Sequence, residues 1–318
     1  MAGEFELIAR HFTRPVQRAA LGVGDDCALL RVAPGMQLAV SSDMLVEGRH
    51  FLPTVAPERL GHKALAVNLS DLAACGAEPL AFTLALSLPR ADESFVAPLA
   101  RGLLALADAH GIELVGGDTT AGPLNLCLTV MGQVPAGQAL LRSGAQPGDD
   151  IWVSGTLGDA RLALEVFRGA VALPGDQFDT VRRAMELPQP QVALGLALRG
   201  VASSAIDLSD GLVGDLGHIL QRSGVAAVVD VDSLPRSAVL AALPRALQHL
   251  CLLAGGDDYE LLFTAAPTQR SAVLAAGQRA GVQLSRCGRI EPGRGLRTVD
   301  AAGRPLTTSF SGFDHFAP

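Results

Sequence analysis

The sequence is short of aromatic residues, lysine and paired cysteines. Aromatics make up 4% of its 318 residues, and Trp152 and Tyr259 are the single tryptophan and tyrosine. The core therefore has to be built from Ala, Leu and Val. Lys63 is the one lysine, and all other cationic side chains are Arg or His. Lys plus Arg is 25 against 32 for Asp plus Glu, a net charge of −7. That balance excludes a general nucleic-acid binder, which needs a basic face. It leaves room for one anionic ligand held by a few arginines or by metal ions. The cysteines, Cys27, Cys75, Cys127, Cys251 and Cys287, are odd in number and widely spaced, with no CxxC and no zinc spacing. We expect reduced thiols in a cytoplasmic protein. "MAGEFELIARHF" has the pattern of an amphipathic helix and lacks the apolar stretch of a secretion signal. No apolar run reaches the roughly 18 residues that span a bilayer. A GxxxxGK[ST] loop, an HRD…DFG set, HExxH and a 12-residue calcium loop are absent too, which excludes P-loop proteins, protein kinases, zincins and EF-hands.

At this length the chain favours about two domains. A composition of 49% hydrophobic and 18% charged residues is that of a folded protein. Strands are expected at 36–42, 80–89, 112–118 and 124–134, with helices opening near Pro57 and stopped by Gly76, and over 92–110. Residues 132–150 are rich in Gly and Pro and mark a junction. Beyond it, strands are expected at 151–155, before Asp207, at 226–232 and at 259–266, with helices at 156–169, after Asp210 and at 268–281. The alternation predicts a two-domain α+β or α/β protein: residues 1–137 with a mixed sheet and helices, and residues 138–318 as an α/β sandwich-type domain.

One design recurs. An apolar strand ends in Asp beside Gly or Ser: Asp25 and Asp26 in "GVGDDCALL", Asp43 in "LAVSSDML", Asp118 in "ELVGGDTT", Asp207 and Asp210 in "AIDLSDGL". Asp71 joins them on the helix "ALAVNLSDLA", where it shares a stripe with Asn68 and Ala64, off the Leu65–Leu69–Leu72 stripe. Taken singly, each Asp is an ordinary turn former or helix cap. Taken together, they put hard oxygen ligands where α/β proteins place their sites. That suits Mg²⁺ shared with nucleotide phosphates, with no histidine needed.

"GEFELIARHF", "GVGDDCALL", "SSDMLVEGRHF", "HKALAVNLSDLAACGAEP", "GGDTT", "RSGAQPGD", "IDLSDGL", "GGDDYELLF" and "GFDHF" follow in this order. Together they resemble the thiamine-monophosphate kinase family, in the ATP-binding superfamily that includes aminoimidazole ribonucleotide synthetase, from one end of the chain to the other. The resemblance implies ATP-dependent phosphorylation of thiamine monophosphate to thiamine diphosphate, several Mg²⁺ ions, K⁺ as a helpful cation, and a homodimer formed through strands of the N-terminal domain. It implies Mg²⁺ ligation by Asp26, Ser41, Ser42, Asp43, Asp71, Asp118, Asp207 and Asp210. Gly117, Asp118, Arg142 and Ser209 would meet ATP; His50, Asp257 and Phe313 would meet the thiamine phosphate. Two positions depart from the family pattern: Asp257 stands where relatives often carry Glu, and Phe313 where they often carry Tyr or Trp. Without the resemblance, Arg142 reads as a surface arginine, His50 as a loop histidine, Phe313 as a tail anchor and Lys63 as a structural helix-face residue. Another synthetase of the superfamily and a non-catalytic Mg-nucleotide sensor are the competing readings; turnover on a substrate panel separates them.

Overall fold

A computed structural model describes residues 4–306 together with 308, 310 and 312. The chain divides into two compact units. The first runs up to Leu72 and takes in Ala77–Gly137; the second takes Ala73–Gly76 and the chain from Gln138 onward.

The first unit opens with α1 (Glu4–Leu7), which continues as a wider helical turn through Phe12. There follow β1 (Met36–Val46), α2 (Pro57–Ala74), β2 (Glu78–Leu88), α3 (Glu93–His110), β3 (Glu113–Ala121) and β4 (Asn125–Pro135). The sheet order is β1-β4-β2-β3, antiparallel except for the β2–β3 pair. Alternation in β4 sends Leu126, Leu128 and Val130 to the buried face and Cys127, Thr129 and Met131 to the other. Helices α2 and α3 approach closely enough to need glycine: a Cβ at Gly61 would lie 2.0 Å from the Leu99 carbonyl oxygen, and one at Gly102 would lie 1.8 Å from that of Glu58. Helix α3 begins where Asp92 accepts from the Ser94 amide and ends at Gly111, φ 60°.

On the opposite sheet face, Leu38, Val40 and Met44 of β1 stay about half exposed. The segment leading to β1 packs Val16, Ala19, Ala28 and Leu30 against Leu80, Val115 and Met131. Strand β3 outruns the expected glycine turn. Pairing with β2 carries it through Leu84↔Gly117 to Leu88↔Ala121, so the turn motif lies inside a strand.

The second unit contains β5 (Asp150–Ser154), α4 (Asp159–Phe167), α5 (Gly175–Glu186), α6 (Val192–Ala197), β6 (Ser204–Asp207), α7 (Leu212–Ser223) and β7 (Ala226–Asp230). Then come α8 (Ala238–Ala241), α9 (Arg245–Ala254), β8 (Leu261–Ala265), α10 (Arg270–Ala280), β9 (Leu284–Glu291) and β10 (Gly295–Val299). The sheet order is β10-β7-β9-β5-β8-β6, with β10–β7 its one parallel pair. Every residue of β5 and β8 is buried, and Trp152 stacks on Phe263 with ring centroids 6.5 Å apart. A continuous apolar core joins Ile151, Ile206, Leu212, Leu216, Ile219, Leu252 and Leu262. None of the five cysteines is in a disulfide. Among the described residues, no helix is long and apolar enough to cross a membrane.

Candidate functional site

In the first unit, β1 and α2 bring three of the expected ligand residues into one neighbourhood. Ser41 Oγ donates to Asp71 Oδ2 at 2.5 Å. The Asp43 amide donates to Asn68 Oδ1 at 3.0 Å, while Asn68 Nδ2 holds the Ala64 carbonyl one turn back. Fully buried Asn68 thus locks strand to helix and orients Asp43. Ser42 is not part of this group. Strand alternation turns its side chain to the other sheet face, where Oγ donates to the Leu128 carbonyl at 2.9 Å and meets Thr129 Oγ1 at 3.1 Å. Only the main chain of Ser42 stays beside Ser41 and Asp43.

Asp26, Gly117 and Asp118 line a second feature of this unit, a cavity of about 410 Å³ walled by Phe12, Leu30, Leu84 and Met131. The conformation of Gly117 is set by packing: φ is +148°, and a Cβ there would lie 1.9 Å from the Leu84 carbonyl oxygen. Asp25 has a structural task, accepting the Asp26 amide at 2.9 Å to close the turn. The cavity has the features of a small-molecule site, an apolar body with a few polar groups at one side.

His50 lies in a tight turn with Gly48 at φ 77°. Its Nδ1 accepts from the Val46 amide at 3.0 Å, which leaves the proton on Nε2. Lys63, 2% exposed, extends Nζ to the His50 carbonyl at 3.3 Å, so the only lysine braces this turn from α2. In the second unit Arg142 is exposed, and its carbonyl accepts from Ser223 Oγ. Phe313 lies outside the described residues.

The second unit interlocks two sequence motifs. The backbone of "DLSDG" pairs with that of "GGDDYE": the Leu208 amide donates to the Glu260 carbonyl, the Tyr259 amide to the Leu208 carbonyl and the Asp257 amide to the Ser209 carbonyl, each at 2.8 Å. Asp257 and Tyr259 hold φ values of 63° and 52° to make these bonds, left-handed conformations uncommon outside glycine. The expected residues Asp207, Ser209, Asp210 and Asp257 are thereby carried by one continuous, backbone-clamped segment pair.

Sequence reasoning missed three acids here. Asp215, 2% exposed in the first turns of α7, accepts from the Asp210 amide at 3.1 Å. Burial first, then the nearby Asp207 and Asp210, push its carboxyl up to about 8. Asp258 accepts the Gly158 amide at 2.9 Å and is raised well above the carboxylate range by burial. Glu260 takes a short hydrogen bond from Ser154 Oγ, and burial raises it to about 7. One signal was present: Asp215 falls on the same helical stripe as Leu212, Leu216 and Ile219, an acid on an otherwise apolar face.

The donor set is all oxygen, which fits Mg²⁺. In the second unit Asp207 and Asp210 lie near enough to Asp215 to raise its carboxyl. Among the described residues, no three His, Cys, Asp or Glu side chains form a ready cage for a metal ion. An ion at these carboxylates would take further oxygens from phosphate or water, as Mg²⁺ does at nucleotide sites.

Comparison with known proteins matches residues 24–134 to the family of AIR synthase related proteins, N-terminal domain, and residues 146–301 to the corresponding C-terminal domain. Thiamine-monophosphate kinase of Salmonella typhimurium is 46% identical over 323 residues, covering 99% of this chain and 98% of that relative. The crystal structure of thiamine-monophosphate kinase from Stenotrophomonas maltophilia superposes with a TM-score of 0.85 at 49% identity, over 94% of this chain and 95% of that one. AaThiL complexed with AMPPCP and TMP matches with a TM-score of 0.78 at 28% identity, over 90% and 89% of the two chains.

Proposed function

The chain belongs to the AIR synthase related proteins and, within them, to the thiamine-monophosphate kinases, and from that premise we propose how its residues divide the work. The protein transfers a phosphoryl group from ATP to thiamine monophosphate, giving thiamine diphosphate and ADP.

The acceptor is itself a phosphate. With a second pKa near ~6, a phosphate monoester is mostly dianionic at neutral pH and can attack without a general base. One of its oxygens forms the new bond to the γ-phosphorus as the β–γ bridging oxygen leaves with ADP. The obstacle is repulsion between a dianion and a polyanion, so catalysis is positioning and charge neutralisation. Bound Mg²⁺ supplies that neutralisation. Asp26, Ser41, Asp43, Asp71 and Asp118 are its proposed holders in the first unit, with Ser42 acting through its main chain; Asp207 and Asp210 are its holders in the second. K⁺ is the proposed helper cation.

Gly117 and Asp118 line the 410 Å³ cavity, which supports their assignment to ATP, together with Asp26. Arg142 and Ser209 are assigned to ATP in the second unit. Asp257, His50 and Phe313 are assigned to thiamine monophosphate. The tautomer of His50 presents Nε2–H as a donor for a phosphate oxygen.

The domain roles follow from these placements. Residues 1–137 bind Mg-ATP and dimerise; residues 138–318 complete the phosphate and substrate site. Strand β1 is at a sheet edge and exposes Leu38, Val40 and Met44, which supports a homodimer through this face. Light scattering should give twice the chain mass. We place the enzyme in the cytoplasm, in keeping with five cysteines that form no disulfide.

The observation carrying this function is full-length identity of 46% to a thiamine-monophosphate kinase. Chromatographic detection of thiamine diphosphate with ATP and Mg²⁺ tests it. Release of ADP without a diphosphate product would overturn it.

A further inference from the structure

The loop carrying Asp207 and Asp210 has nearly all its backbone polar groups accounted for. The Leu208 amide and carbonyl and the Ser209 carbonyl are bonded to the backbone of residues 257–260. The Asp210 amide is bonded to the Asp215 carboxylate. Backbone partners survive any substitution, whereas the Asp215 side chain does not. Helix α7 also has no side-chain cap, because its N-cap is Gly211 at φ 99°. Asp215 reaches back past that glycine to the Asp210 amide that precedes the helix, and its carboxylate lies near the positive end of the helix dipole.

The position is a poor one for an acid on stability grounds alone. It is buried on the apolar stripe of α7, beside Asp207 and Asp210. A smaller apolar residue would avoid that cost and leave the loop free to move. We propose that Asp215 is a positioning residue, whose carboxylate grips the Asp210 amide and so holds Asp207, Ser209 and Asp210 in the geometry that receives metal-bound phosphate. The inference rests on the assignment of Asp207 and Asp210 to Mg²⁺. Asp215 acts through its acceptor atoms. The clamp therefore needs an oxygen at this position and does not need a charge.

The test compares D215N, which keeps an oxygen acceptor of the same shape, with D215A, which has none. One readout is amide hydrogen exchange over residues 207–212 in metal-free protein. The other is Mn²⁺ affinity, by electron paramagnetic resonance in the presence of a non-hydrolysable ATP analogue. In D215A the segment should lose protection and Mn²⁺ affinity should fall about tenfold or more, the usual effect of removing a group that orients a metal ligand. D215N should stay within about threefold of wild type. Equal, large losses in D215N and D215A would make the charge itself the agent and overturn the proposal. Wild-type protection and affinity in D215A would also overturn it. Should D215A fail to fold, D215L, which also lacks an acceptor, replaces it, and a D215N protein with weakened Mn²⁺ binding still rejects the idea. D207N is the control for the assignment beneath: unchanged Mn²⁺ affinity there rejects the metal assignment, whatever Asp215 does.

Discussion

The backbone amide of Asp257 donates to the carbonyl of Ser209 at 2.8 Å, and Asp257 adopts a left-handed φ of 63° to do so. One strained residue thus ties the motif assigned to substrate to the motif assigned to metal and nucleotide. Neighbouring Gly256 closes the junction, since a Cβ there would lie 2.5 Å from the same Ser209 oxygen.

Replacing Asp257 with glycine should separate its two tasks. The backbone conformation suits glycine, so D257G should match the wild-type thermal midpoint or gain up to about 1 kcal/mol. Its KM for thiamine monophosphate should rise about tenfold or more, as a charge-assisted contact is lost. Steady-state kinetics with varied acceptor and fixed ATP, alongside calorimetry, check both halves.

Asp71→Asn and Asp207→Asn should each reduce kcat by about a hundredfold or more while the fold is retained, because each removes a carboxylate proposed to hold charge-neutralising Mg²⁺. Ser41→Ala should cost less. It frees Asp71 from a 2.5 Å hydrogen bond but leaves its carboxylate in place. Circular dichroism and initial rates over a range of Mg²⁺ concentrations decide this. Near-normal rates in both Asn variants at limiting Mg²⁺ would remove these residues from the site.

Gly117→Ala should damage the first unit as well as the cavity. The added methyl collides with the Leu84 carbonyl, and the φ of +148° is closed to an L side chain. The expected loss is roughly 2 kcal/mol or more, read as a lower urea midpoint. An unchanged midpoint would mean that β3 and β2 are not held so closely.

Glu260 makes stability depend on pH in a defined direction. Burial raises its folded-state value to about 7, above that of the unfolded chain, so the folded protein binds this proton more tightly. The associated stability is complete below the ordinary carboxylate range and is lost as pH rises through 7. E260Q keeps an acceptor for Ser154 and removes the titration. Relative to wild type, it should gain on the order of 1–3 kcal/mol between pH 5 and pH 8, less whatever water screens at this partly exposed carboxylate. Thermal midpoints of the two proteins across that range test the sign.

Much of this was legible in the residues. Helix α2 and strand β4 follow from their periods, and the carboxylates after apolar runs marked the regions assigned here to the site. Even the separation of Ser42 from Ser41 and Asp43 is a matter of alternation, readable once the strand is known to run to Val46. Strand β3 was misjudged because "GGD" is ordinary turn chemistry, and only pairing with β2 turns it into strand. Strands β9 and β10 and helices α5 and α9 were not read, although α5 and α9 are as clearly amphipathic as α7.

From the sequence alone came the two-unit α and β organisation, the expectation of oxygen ligands and, through the resemblance of its motifs to a known family, the reaction class. Those properties reside in residue identity and spacing, which short segments carry by themselves. Only the tertiary structure decided which acids share a loop, which face Ser42 takes, and that Asp215 is buried and Asp258 and Glu260 partly buried beside the assigned residues. Hydrogen bonds between segments some fifty residues apart, and the loss of water around a carboxylate, arise from contacts that no local stretch of chain encodes.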